Sequence, residues 1–217
     1  LQLIAARHAG LAQPALPEPA PAVAALASSA SLSPVSPDRP DVFGSTALAV
    51  SHTTLDAEWR RAAAPLAGSR RAVWQPLVSD LRSDTRLQQI GEINRRVNAR
   101  VAFAEDRSRQ GRADRWSKAA DTLARRRGDC EDYAIAKMQL LRPLGVDEGD
   151  LYVTLVRDLV RRADHAVLVV RHEGRFLVLD SNTDALLDAG EIRDYRPVFS
   201  FAASGTWLHG YRQEVET

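Results

Sequence analysis

Arg126-Arg127-Gly128-Asp129-Cys130-Glu131-Asp132-Tyr133-Ala134 decides the reading of this chain, because Cys130 is the only cysteine in 217 residues and stands where a loop should turn into a helix. Gly128 breaks the basic segment before it, and Asp129 is a good N-cap for a helix running through Tyr133, Ala134, Ile135, Met138 and Leu141. Cys130 then falls in the first helical turn. There the unpaired backbone N–H groups and the positive end of the helix dipole favour a thiolate, and the same N–H groups can later hold an oxyanion. The flanking carboxylates Asp129, Glu131 and Asp132 push the other way unless a cation neutralises them. A single cysteine is usually a small buried hydrophobe, but burial fits poorly beside so much negative charge.

A thiolate nucleophile needs an imidazole partner, and the imidazole needs an acceptor that fixes its tautomer. Both follow in order. His165, 35 positions on (165 − 130), opens the apolar run Ala-Val-Leu-Val-Val, and Asp180, 15 positions further (180 − 165), closes Arg-Phe-Leu-Val-Leu-Asp. The polar turn His-Glu-Gly-Arg at 172 to 175 between them makes this a hairpin signature. The start of the first strand and the end of the second share one end of an antiparallel pair, so His165 and Asp180 are expected to be cross-strand neighbours, with the Cys130 helix packed on their face. Taken alone, His165 also reads as a satisfied core histidine, and Asp180 as a turn cap with Ser181 and Asn182.

Together these residues resemble the bacterial transglutaminase-like cysteine proteinases of the LapG type, within the papain-like and transglutaminase-like group. The carriers are Trp116, the run from Thr122 to Lys137 centred on Gly-Asp-Cys-Glu-Asp-Tyr-Ala, Leu-Arg-Pro-Leu-Gly-Val at 141 to 146, Asp-His-Ala-Val-Leu at 164 to 168, and Leu-Asp-Ser-Asn at 179 to 182. The resemblance spans roughly residues 74 to 201. It implies Cys130 as nucleophile, His165 as general base and then acid, and Asp180 as the group that orients His165. It further implies a calcium ion held by Asp129 and Glu131, with Asp132 and Asn182 as additional ligands; carboxylate oxygens suit that hard cation. The implied setting is periplasmic. The implied substrate is the N-terminal region of a large surface adhesin, cut between small residues, and the implied inhibitor is an inner-membrane receptor that senses cyclic di-GMP. Cleavage would promote biofilm dispersal. Trp116 reads as core packing, while the resemblance would place it along the catalytic cleft.

Composition agrees with a globular enzyme. Hydrophobic residues make up 45% and charged residues 26%, and a net charge of +1 leaves no footprint for nucleic acid or anionic membrane. One cysteine excludes an intrachain disulfide and leaves a reactive thiol compatible with an oxidising compartment. No run of about 18 apolar residues is present to span a membrane. The first residues, Leu-Gln-Leu-Ile-Ala-Ala-Arg, lack an initiator Met and an apolar core of signal-peptide length, which reads as a processed or internal start.

The expected organisation is an Ala/Pro/Ser-rich, disordered leader over residues 1–45, a transglutaminase-like peptidase domain over 46–203 and a tail over 204–217. Within the domain, helices are expected over Leu55 to Ala67, over most of Trp74 to Ala102 with Leu77, Leu81, Leu87, Ile90, Ile93 and Val97 on one face, from Trp116 or Ser117 to Arg125, and after Cys130. Glu105 to Arg115 reads as a surface loop, and strands are expected near Leu151 to Val156, in the hairpin, and around Pro197 to Ala202. This order gives an α+β fold, helices on one side of an antiparallel sheet with the site at their junction. Two other functions suit the same residues: a transglutaminase or amidase that passes the acyl group to an amine, and a non-catalytic binding module.

Overall fold

The computed structural model describes residues 39–66, 68–104 and 116–211. The leader up to residue 38 and the expected surface loop 105–115 lie outside them. The chain joins the core earlier than the expected boundary, since Val42 and Phe43 are buried ahead of the first strand, β1 (Thr46–Val50).

A helical layer follows. Helix α1 (Asp56–Ala62) stops well short of the expected Ala67, because Pro65 cannot continue it. The expected long helix from Trp74 is instead α2 (Arg71–Trp74), two 3-10 turns at Gln75–Leu77 and Ser79–Ser83, and then α3 (Arg86–Arg100). Pro76 interrupts the first part, and a reciprocal cap restarts the helix: Thr85 Oγ1 accepts from the Gln88 N–H while the Gln88 side chain accepts from the Thr85 N–H at 2.9 Å. Ile90, Ile93 and Val97 face the core as expected, but Leu87 is 50% exposed. A two-residue parallel bridge between β2 (Ala102–Phe103) and β3 (Arg127–Gly128) brackets α4 (Ala119–Arg125). Helix α4 begins three residues later than Trp116 and ends where Arg126 turns left-handed at φ 56°, so the three arginines do not share its last turn. Helix α5 (Cys130–Leu141) closes the layer and is buried along almost its whole length.

The second half is a seven-stranded sheet in the order β1-β9-β8-β4-β5-β6-β7 with every pairing antiparallel. Its strands are β4 (Leu151–Asp158), β5 (Ala163–His172), β6 (Arg175–Leu179), β7 (Leu187–Asp188), β8 (Tyr195–Ala202) and β9 (Gly205–Gly210). The hairpin turn between β5 and β6 is made by Glu173 and Gly174, both at positive φ, the backbone twist that two-residue turns require. The tail expected after residue 203 is thus partly wrong: β9 pairs with both β8 and β1. Its short, Gly-flanked run Thr-Trp-Leu-His alternates exposure but is too brief to stand out from a loop.

Alternation splits the strands between two cores. Leu151, Val153, Leu155, Ala166, Leu168 and Val170 pack with the helices, while Tyr152, Val156, Val167, Val169 and Val178 meet Val42, Phe43, Tyr195 and Trp207 on the other face. A buried polar chain stitches Ser45, just ahead of β1, to β9, β8 and β4. His209 Nδ1 lies 2.8 Å from Ser45 Oγ and its Nε2 lies 2.8 Å from Ser200 Oγ, which in turn lies 2.9 Å from Thr154 Oγ1. Because Ser45 donates its own proton to the Val42 carbonyl, the ring is protonated at Nδ1 and accepts at Nε2. No helix among the described residues is long and apolar enough to cross a membrane.

Candidate active site

Helix α5 starts as its sequence dictates. Asp129 is extended at the N-cap and its Oδ1 accepts from the Asp132 N–H at 3.3 Å. Gly128 has to be a glycine, since a Cβ there would lie 2.6 Å from both Cβ and Oδ2 of Asp132. Asp132, buried itself, accepts from the Ser117 N–H at 2.9 Å through Oδ1 and thereby ties the segment before α4 to α5. The run Gly-Asp-Cys-Glu-Asp is therefore a packed helix start in which one carboxylate caps and another reaches back over the glycine.

Cys130 is the first residue of α5 and partly buried. Its thiol donates to Glu131 Oε2 at 3.0 Å, and the Ala166 N–H of β5 points at the sulfur. Burial pushes the Cys130 thiol well up, the charges of Glu131 and Asp129 push it further, and the Ala166 N–H opposes them. A base has to take this proton before the sulfur can act.

The imidazole expected to take it stands next to Ala166. His165 Nε2 lies 2.9 Å from Asp180 Oδ1. Asp180 is almost wholly buried, which by itself would raise its pKa, but the bond and charge of His165 together with the Tyr195 hydroxyl hold the carboxyl down at about 2. An ionised carboxylate only accepts, so Nε2 carries the proton and Nδ1 keeps the basic lone pair. Tyr195 donates to Asp180 Oδ2 at 2.6 Å, and the Asn182 N–H donates to Oδ1 at 2.8 Å. From α3, Asn98 donates to the Asp180 carbonyl at 3.0 Å. The Tyr195 ring also meets the His165 ring edge-on at 5.9 Å.

Of the residues expected to react, the fold bonds His165 to Asp180 at 2.9 Å and sets the Cys130 sulfur against the N–H of the next residue in β5, Ala166. The sequence reading missed Tyr195 and Asn98. Neither sits in a recognisable motif, and each reaches Asp180 only through tertiary folding. Trp116 is 2% exposed and packs edge-on against Phe201 at 5.5 Å, the core role expected of it.

The four residues expected to hold a cation are divided. Asp129, Glu131 and Asp132 gather at the start of α5, whereas Asn182 lies across the imidazole, its amide nitrogen 3.2 Å from His165 Nε2. The carboxylates suit calcium in chemistry, being oxygen donors of like charge held within one helical turn. Among the described residues, however, no three acidic, histidine or cysteine side chains close into a ready-made cage. Backbone carbonyls and water would have to complete the coordination.

Comparison with known proteins agrees with this geometry. The sequence model of the bacterial transglutaminase-like cysteine proteinases matches residues 75–207. Among solved structures, Legionella pneumophila LapG is similar with a TM-score of 0.57 and 28% identity, covering 72% of this chain and 88% of that one. Its calcium-bound form matches equally, with the same 28% identity and TM-score of 0.57, over 72% of this chain and 88% of that one. The EGTA-treated form also gives 28% identity and a TM-score of 0.57, over 72% of this chain and 86% of that one. No curated protein matches the chain.

Proposed function

Because the chain belongs to the bacterial transglutaminase-like cysteine proteinases, we propose that it is an endopeptidase working through Cys130, His165 and Asp180. One observation carries the reading: the 2.9 Å His165–Asp180 pair stands beside the Ala166 N–H that contacts the Cys130 sulfur.

In this mechanism His165 Nδ1 takes the thiol proton and the sulfur attacks the peptide carbonyl, forming a C–S bond. The backbone N–H of Cys130, unpaired at the helix start, holds the developing oxyanion. Nδ1–H then protonates the leaving amine as the C–N bond breaks. A water, deprotonated by Nδ1, hydrolyses the thioester and returns the thiol. Asp180 stays ionised throughout and fixes the ring.

Calcium dependence belongs to the same proposal and is supported by the calcium-bound and EGTA-treated forms of the similar LapG. Asp129 and Glu131 would hold the ion, which when bound supplies positive charge beside the thiol. Asp132 would join by loosening the oxygen that accepts from the Ser117 N–H, and Asn182 through its side-chain oxygen, its amide nitrogen facing His165. By resemblance to the LapG type, the enzyme works in the periplasm, cuts the N-terminal region of a large surface adhesin between small residues, and so promotes biofilm dispersal. An inner-membrane cyclic di-GMP receptor would restrain it.

The test is cleavage of an adhesin N-terminal fragment from the same organism by wild type and Cys130→Ala, each with calcium and with excess EGTA. Cutting should vanish in the variant and in EGTA. Cutting by Cys130→Ala would end the mechanism, and cutting in EGTA would remove only the calcium claim. Amine incorporation in place of hydrolysis would reassign the chain to acyl transfer.

A further inference from the structure

Lys137 is fully buried in α5, seven residues and so about two turns from Cys130 (137 − 130 = 7), and its ammonium has no hydrogen-bond partner. Nζ sits 5.7 Å from the centroid of the Tyr133 ring. The carboxylates that act on it are Asp180 and Asp184, both in the turn after β6. The same turn is held from α3. Asn98 donates to the carbonyls of Asp180 and Thr183 and to Asp184 Oδ1, each at 3.0 Å, and Asn94 donates to the Thr183 carbonyl at 2.9 Å. Two amides of α3 thus bind residues 180–184, and the buried Lys137 ammonium of α5 feels the charge of the two carboxylates in that turn.

Such an ammonium costs stability. Desolvating one charge takes several kcal/mol in a real protein, and a buried cation–π contact returns only about 2 kcal/mol. Burial accordingly pulls the Lys137 pKa down to about 7, against the opposing charges of Asp180 and Asp184. A methionine of similar length would fill the same space without the charge. A costly group kept two turns behind the nucleophile, in the electrostatic field of the carboxylate that orients the imidazole, is the kind of local inconsistency found at functional sites.

Building on the protease reading above, we propose that Lys137 is a positioning residue: its charge under the 180–184 turn holds Asp180, and through it His165, in the orientation Cys130 requires, at the expense of stability. The residue touches neither substrate nor sulfur in this role.

The experiment compares wild type with Lys137→Met and Lys137→Leu in three readouts: melting temperature, kcat and KM on a cleaved peptide, and the rate of Cys130 alkylation by iodoacetamide. Both variants should melt at or above the wild-type temperature. Both should lose about tenfold in kcat and in alkylation rate, the scale of a small misplacement of catalytic groups, with KM little changed. Variants that melt lower or do not fold would make Lys137 a packing element and overturn the proposal. So would folded variants with wild-type kcat and alkylation, leaving the protease reading intact. Cleavage of the peptide by Cys130→Ala would instead sink the protease reading and take the role of Lys137 with it.

Discussion

Asp180 bonds His165 as a diagonal neighbour and not as its direct partner across the ladder. The last registered pair of the hairpin is Leu168 with Leu179, so the same register would face His165 with Asn182 (168 + 179 = 165 + 182). Asp180, just past the end of β6, nonetheless reaches Nε2 at 2.9 Å. A diagonal approach is longer than a direct one, and the carboxylate is steadied by Tyr195, by the Asn182 N–H and by Asn98 on its own carbonyl.

Asp180→Asn removes the acceptor that keeps the proton on Nε2, which turns Nδ1 from a base into a donor. We expect kcat on a cleaved peptide to fall on the order of 10²- to 10⁴-fold, with circular dichroism unchanged. A fall of less than about tenfold would argue that Asp180 merely caps its turn.

Tyr195→Phe leaves Asp180 Oδ2 buried without its 2.6 Å donor. Loss of a hydrogen bond to a charged group costs about 1.5–3 kcal/mol, readable by urea unfolding at pH 7. Activity should drop as well, because the carboxylate loses one of its anchors; a variant as stable and as active as wild type would remove Tyr195 from the site.

Gly128→Ala drives a methyl group to within 2.6 Å of the Asp132 carboxylate. Overpacking of this kind costs about 1–3 kcal/mol. Since Asp132 also receives the Ser117 N–H, the variant should disturb the start of α5 and slow Cys130 alkylation along with lowering the melting temperature.

The His209 network predicts a pH dependence of stability unrelated to catalysis. Burial lowers the His209 pKa from its usual 6.5 to about 4, so the folded state favours the neutral ring. That contribution is complete above about pH 6.5, shrinks as pH falls because only the unfolded chain takes up the proton, and is gone near pH 4. The full effect is roughly 3 kcal/mol by linkage. Urea titrations from pH 7.5 to 4 should show wild type losing this much more than His209→Gln, which cannot titrate; parallel curves would contradict the assignment.

The order of elements and the pairing of His165 with Asp180 are readable because each has a local signature. Asp129 precedes its helix as an N-cap, the β5–β6 turn carries its glycine, and the central strands are continuous apolar runs. What escaped depended on distant parts of the chain. Helix α3 was drawn too long because its periodic face hides the restart at Thr85, and Leu87 falls off that face. Strand β9 gains its identity only from pairing with β8 and β1. Tyr195 and Asn98 acquire roles only when β8 and α3 close around Asp180.

Helix α5 and strand β5 belong to different layers, and the contact of the Ala166 N–H with the Cys130 sulfur exists only once those layers have docked. On the proposed mechanism neither half holds a working nucleophile alone: the helix carries a thiol with no base beside it, and the hairpin a base with nothing to activate. A chain still emerging or partly melted would therefore be harmless to its neighbours. On the proposed mechanism, proteolytic competence arrives all at once, as a by-product of completing the fold.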